Sequence, residues 1–224
     1  MYETGSIQQS WAPASSYDEI NNYNYSQNVG ITASALGRLR LHLNFTQLRF
    51  HCSKQHGRTF HVITATNSKG EAVVQYFSGQ TDTLPGSCDS FRRMDDDTSV
   101  LALNCALWGN DGRQHVGKWG HHDKKDATFR LYDHAAFIAS SYHWHIVGDY
   151  WLCDDAINLF TKSARDFWKI FVRWRTEVTL NAPLCTLKGD MMHKYDNWDA
   201  FMCRPRFTCK PTSTLDHFSF GLNA

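Results

Sequence analysis

No stretch of the chain approaches 18 consecutive apolar residues, so no membrane-spanning helix is expected. An excess of charge of one sign is also missing: 23 Lys and Arg stand against 22 Asp and Glu in 224 residues, a formal net charge of +1. A chain without a basic field lacks the electrostatic footprint of a nucleic-acid binder, and one without an acidic excess does not coat mineral through carboxylates. Met1 to Gln9 has neither a basic nor an apolar region, so no secretory leader is expected there. There is no C-x-x-C pair, which removes the common zinc-ribbon and thioredoxin spacings. G-x-S-x-G, H-E-x-x-H, P-loop and G-x-G-x-x-G patterns are absent as well, as is any fixed-period repeat. Enzymatic activity is therefore not the leading expectation.

What the chain does have is 14 Phe, 9 Tyr, 8 Trp, 12 His and 7 Cys, residue types that recur in binding surfaces, metal sites and stapled folds. Residues 1–35 open with a stretch rich in Ser, Asn, Gln and Tyr that shows no structural period, and are expected to form a flexible N-terminal tail. Leu39, Leu41 and Leu43 alternate with polar residues, the period of a half-buried strand, and Phe45 to Cys52 continues in that style. Thr59–Ala65 and Glu71–Phe77 are β-branched and aromatic, and the intervening Asn67-Ser-Lys-Gly70 is turn chemistry, so a hairpin is expected. Further strands are expected at Phe129–Ala139, His143–Val147, Tyr150–Cys153 and Phe167–Trp174, with irregular, functional loops between Gln80 and Asp126. The fold class is mostly β: a disulfide-stapled, β-sandwich-like single domain over residues 36–176, followed by a Cys-containing appendage over residues 177–224. An α+β fold of fibrinogen-related type is the alternative.

Cys52, Cys88, Cys105 and Cys153 are an even set within that domain, which suggests two disulfides, with Cys88–Cys105 closing a loop around the acidic run and Cys52–Cys153 a long-range bridge. Cys185, Cys203 and Cys209 leave one thiol unpaired in the appendage. The sequons at Asn24 and Asn44 are compatible with a secreted glycoprotein.

Three constellations could carry chemistry. Asp95, Asp96 and Asp97 offer the hard oxygens that Ca²⁺ requires, and Asp95, Asp97 and Ser99 mimic the start of an EF-hand loop. The mimicry ends at Val100 and Ala106, which stand where the turn glycine and the bidentate glutamate belong. Trp108, Trp119, Trp144 and Trp151, interleaved with Asn110, Asp111, Asp149, Asp154 and Asp155, resemble the chemistry of a glycan site: rings stack on the sugar while carboxylates and amides take its hydroxyls. His143 and His145 would share one face of a strand, a pair suited to Zn²⁺, with a third ligand from His115, His121, His122 or His134. The adjacent His121 and His122 would diverge if extended. Asp154 and Asp155, as neighbours on a strand, would diverge likewise and form no catalytic pair.

The ordered series Arg58-Thr-Phe-His-Val62, Gly70-Glu-Ala-Val-Val-Gln-Tyr-Phe-Ser-Gly79, Ser87-Cys-Asp-Ser-Phe91, Trp108-Gly-Asn-Asp-Gly112, Val116-Gly-Lys-Trp-Gly-His121, Leu131-Tyr-Asp-His-Ala-Ala-Phe137, Trp151-Leu-Cys-Asp-Asp155 and Asp166-Phe-Trp-Lys-Ile170 resembles the module of secreted proteins described as uncharacterized skeletal organic matrix protein 5-like. The resemblance covers residues 43–173 and implies an extracellular protein with its four domain cysteines oxidised. Leu152 departs from it, standing where an acidic residue is expected. A fainter resemblance to fibrinogen-related domains lies in Asp95-Asp-Asp97 followed by Cys105-Ala, without the paired tryptophans of that family. Together these readings give an extracellular matrix or adhesion module that binds glycan or protein through aromatic and carboxylate loops, with Ca²⁺ as the companion ion. A zinc-dependent hydrolase using the histidine cluster is the alternative.

Overall fold

Two side chains decide where the chain leaves the extended state. The Thr32 hydroxyl accepts from the Ala35 amide at 3.1 Å and starts helix α1 (Ala33–Leu43), which ends where Asn44 takes a left-handed conformation. The Asn67 carboxamide accepts from the Gly70 amide at 2.9 Å and starts helix α2 (Ser68–Phe77). Both helices correct the sequence reading. Leu39 is buried while Leu41 is 78% exposed, so the alternating leucines divide by helical position, not by sheet face. The second arm of the expected hairpin is helical, with Val73, Val74, Tyr76 and Phe77 buried on one side. Its turn-like tetrapeptide is a helix cap, and Gly70 is required there because a Cβ would stand 2.0 Å from the Ala65 carbonyl oxygen. Asn67→Ala should cost about 1 kcal/mol in urea unfolding, while a loop asparagine with no capping role would cost near nothing.

The computed structural model describes residues 11–14, 28–111, 114–124, 128–147, 150–156, 163, 165–174 and 217–223. Strands dominate, as expected. β1 (Trp11–Ala14) and β2 (Asn28–Ile31) form a parallel pair. β3 (Phe45–Ser53), β4 (Thr59–Thr64), β5 (Phe91–Arg93), β9 (Phe167–Trp174) and β10 (His217–Asn223) form an antiparallel five-stranded sheet in the order β10-β9-β3-β4-β5. β6 (Ala136–Ile138), β7 (Tyr142–Val147) and β8 (Tyr150–Asp155) form a three-stranded antiparallel sheet. A one-turn helix α3 (Val100–Leu103) runs into a 3-10 turn, Cys105–Leu107.

The period-two reading of Phe167–Trp174 is met in full by β9, and those of His143–Val147 and Tyr150–Cys153 by β7 and β8. Phe129–Ala139 contributes only the short β6; its first residues form a turn instead. The expected domain edges shift. Ile31 and Ala35 belong to the core, and β10, inside the expected appendage, pairs along β9 from His217↔Arg173 to Asn223↔Phe167. Asn24, Cys185, Cys203 and Cys209 lie outside the described residues, whereas Asn44 is exposed at the end of α1. Among the described residues no helix is long and apolar enough to cross a membrane.

The core forms where β3 and β4 meet α2 and β7. Phe50 of β3 packs against Phe77, Trp119 and Trp144 with ring centres 5.2, 5.3 and 5.5 Å apart. Both expected disulfides are present: Cys52–Cys153 ties β3 of one sheet to β8 of the other, and Cys88–Cys105 closes a short loop.

Candidate metal centre

The four tryptophans proposed to stack on a glycan are inside the protein. Trp108, Trp119, Trp144 and Trp151 are each fully buried, and this overturns their role as a sugar platform. Three of them also satisfy the indole N–H internally: Trp108 donates to the Leu101 carbonyl at 2.8 Å, Trp119 to the Ser90 hydroxyl at 2.7 Å, and Trp144 to the Leu131 carbonyl at 2.9 Å. A buried ring with its polar handle paired is held as core. Trp151 lies 5.2 Å from Trp168 in an edge-to-face pair.

The carboxylates expected in that site are dispersed. Asp154 is fully buried, pairs with Arg58 and accepts from the Val100 and Leu101 amides at 2.9 and 2.7 Å, so it anchors the start of α3. Asp155 takes the Lys54 ammonium at 2.6 Å. Asn110 is half-buried and Asp111 exposed in the loop after Trp108; Asp149 lies outside the described residues. The calcium triad does not converge either. Asp95 is exposed, whereas Asp97 is buried and engaged by Arg93 at 2.8 Å, by the Ser99 hydroxyl and by the His61 amide. Asp96 turns instead to His61 Nδ1 at 2.5 Å and His51 Nε2 at 3.6 Å. The reason is local: at the edge of the sheet His61 and His51 draw Asp96 one way, while Arg93 and the capping Ser99 hold Asp97 another.

The histidines do converge. The turn that leads into β6 is held by Tyr132 N–H donating to the Phe129 carbonyl at 2.8 Å, and Ile146 N–H of β7 donates to the Tyr132 carbonyl at 2.8 Å. Asp133 and His134 are thereby set beside β7, with His134 in a left-handed conformation at φ 54°. On β7, Trp144 and Ile146 enter the core, so His143 and His145 share the other face. Asp133 Oδ1 lies 2.9 Å from His134 Nδ1 and 3.4 Å from His145 Nδ1. One ligand atom from each of Asp133, His134 and His145 falls within 4.8 Å of the others. His134 and His145 ring centres are 3.9 Å apart.

Two further imidazoles flank this trio. His143 stands 5.1 Å from His134 and stacks on Phe137, its cross-strand partner, at 5.7 Å. His121 lies 5.7 Å from His134. It is brought there by Gly120, whose N–H donates to the Ala135 carbonyl at 2.8 Å, and which has no room for a Cβ against the Tyr76 hydroxyl. His121 and His122 stack at 4.7 Å and do not diverge, because a 3-10 turn, His122–Lys124, starts between them. His115 is exposed and is not part of the cluster. Burial, then the neighbouring His134, His145 and His121, lowers the His143 pKa to about 3. Burial, then His134 and His122, lowers that of His121. Both shifts favour the neutral imidazole at His143 and His121, the form that binds metal.

A second trio was not anticipated from sequence. His51 and His61 face each other across β3 and β4 with rings stacked at 3.7 Å, and both reach Asp96. Its signal was present in the alternation, which puts a histidine on the same sheet face of each strand. Burial and then His61 lower the His51 pKa to about 3. No family model, curated protein or solved structure matches the chain, so the reading of the site rests on this geometry.

Proposed function

We propose that the chain is an extracellular, disulfide-stapled binding module organised on a divalent metal centre at Asp133, His134 and His145, with zinc as the ion. The observation that carries this reading is the convergence of one carboxylate and two imidazole ligand atoms within 4.8 Å. Bound tetrahedrally to zinc, such atoms sit about 3.4 Å apart, a contraction within reach of side-chain rotation. Imidazole with carboxylate is a ligand set suited to zinc, and the two imidazoles do not fit the all-oxygen preference of calcium. Two disulfides support an oxidising compartment, which agrees with the secreted family that the sequence resembles. Ring contacts of Trp144 with Phe50 and Phe60 support a sandwich-like packing of the two sheets.

A matrix or adhesion role fits a stapled scaffold whose loops face outward. With the tryptophans inside, a protein partner suits that role better than a stacked glycan. Leu103 and Leu107, 63% and 42% exposed beside Cys105, supply apolar area for such a contact.

Metal-free protein should take up one zinc per chain in titration calorimetry. At a hundredfold excess over Kd the gain is about 2.7 kcal/mol, or about 5–10 °C in Tm for a chain of this size. His145→Ala, with near-UV circular dichroism as the folding control, should abolish both signals. Zinc uptake by that variant equal to the parent's would reject the assignment.

A further inference from the structure

His143 is the least explained side chain in the protein. It is 2% exposed, and neither ring nitrogen has a hydrogen-bond partner. A buried polar group without a partner is destabilising, so a histidine is an unfavourable way to fill a buried site unless something binds it. Other cluster histidines have engagements of their own. His134 meets Asp133, the Nδ1 of His145 accepts from the His134 amide at 3.2 Å, and the Nδ1 of His121 accepts from the Asp123 amide at 3.2 Å.

The placement of His143 matches that of a ligand. Two imidazoles bound tetrahedrally to one zinc at about 2.0–2.1 Å hold their ring centres about 5 Å apart. The His134–His143 pair already stands at that spacing, 5.1 Å with the rings nearly perpendicular at 82°, whereas His134 and His145, at 3.9 Å, would have to rotate apart to share the ion. His143 and His145 also approach from the same face of one strand, and His143, which stands outside the 4.8 Å trio, would join it by side-chain rotation.

We propose that His143 is the fourth protein ligand of the centre, which closes it as a structural site of three imidazoles and one carboxylate. The proposal rests on the metal reading of Asp133, His134 and His145, and it decides what that centre does. Catalytic zinc keeps one position for water or substrate, whereas structural zinc is enclosed by four protein donors. A closed centre stabilises the join between the Phe129–Ala135 turn and β7 and has no site for a hydrolytic water. It therefore speaks against the zinc-hydrolase alternative.

Cobalt substitution tests this on the unmodified protein. Co²⁺ added to the metal-free chain should give the intense visible bands of a tetrahedral site, and azide in excess should leave them unchanged. In His143→Ala the same bands should become azide-sensitive, with Co²⁺ held at least about 100-fold more weakly, since losing a direct ligand weakens binding no less than losing an outer-shell partner does. Bands that shift with azide in the parent protein would overturn the closed site while leaving the metal centre standing. So would a His143→Ala protein with unaltered affinity. Failure of the parent to bind Co²⁺ at all would overturn the metal reading itself and this proposal with it. Should His143→Ala not fold, the azide experiment on the parent and X-ray absorption of its zinc form, three imidazoles against two, still decide the question.

Discussion

Replacing Cys52 and Cys153 together by alanine is expected to destabilise the protein by about 5 kcal/mol, the largest effect of any change short of gutting the core. The bridge spans 101 residues, and the chain-entropy relation gives about 4.7 kcal/mol for a closed loop of that length. Both cysteines are fully buried, so their loss also removes packing between β3 and β8. For a chain of this size the expected fall in Tm is about 10–20 °C. The Cys88–Cys105 bridge closes only 17 residues and should contribute about 3 kcal/mol. Paired urea titrations of the two double variants check the order. A greater loss from the short loop than from the long one would show that Cys52–Cys153 is not what holds the two sheets together.

Cysteine parity made both bridges legible from sequence, because four thiols in one domain leave few pairings and the spacing favoured these. Strand β9 was legible for a different reason: Trp168, Ile170 and Val172 alternate with more exposed residues, and the aromatic and β-branched enrichment favours a strand over the helix that Phe167, Ile170, Phe171 and Trp174 would also fit. The helices were hidden by composition. Val73, Val74, Tyr76 and Phe77 are strand formers, yet the Asn67 cap and the close approach of Gly70 to Ala65 overrule propensity. At the site, the His143 and His145 pair was legible because period two is local. His134 was one of four candidate third ligands; its selection and the part played by Asp133 were not legible, since they depend on a left-handed residue and on hydrogen bonds from Ile146 and Tyr132 that no spacing reveals. The tryptophans misled because a ring among acidic residues reads alike whether it lies on a surface or in a core.

Mild acid should destabilise the metal-free protein through two buried histidines. His51 and His143 each have a pKa lowered from 6.5 to about 3, in both cases chiefly by burial and then by neighbouring imidazoles. Between those values the unfolded chain binds more protons than the folded one, so stability rises with pH across the window and is lost as pH falls through it. At pH 5 the loss is about 1.5 pH units for each ring, or about 2 kcal/mol apiece. Arg49 and Lys169 deepen the effect at His51 by opposing a second positive charge, while Asp96 opposes it only in part. Melting curves from pH 7.5 to pH 5 should therefore fall by about 8–16 °C, and a His51→Asn, His143→Asn double variant should flatten that slope. Zinc should raise the curve at pH 7.5 and steepen its fall, because protons and metal compete for the same nitrogens. A flat profile in the parent, metal-free protein would mean that water or another donor reaches His51 and His143, and that the buried, unpartnered state of His143 on which the proposed closed centre depends is not the state in solution.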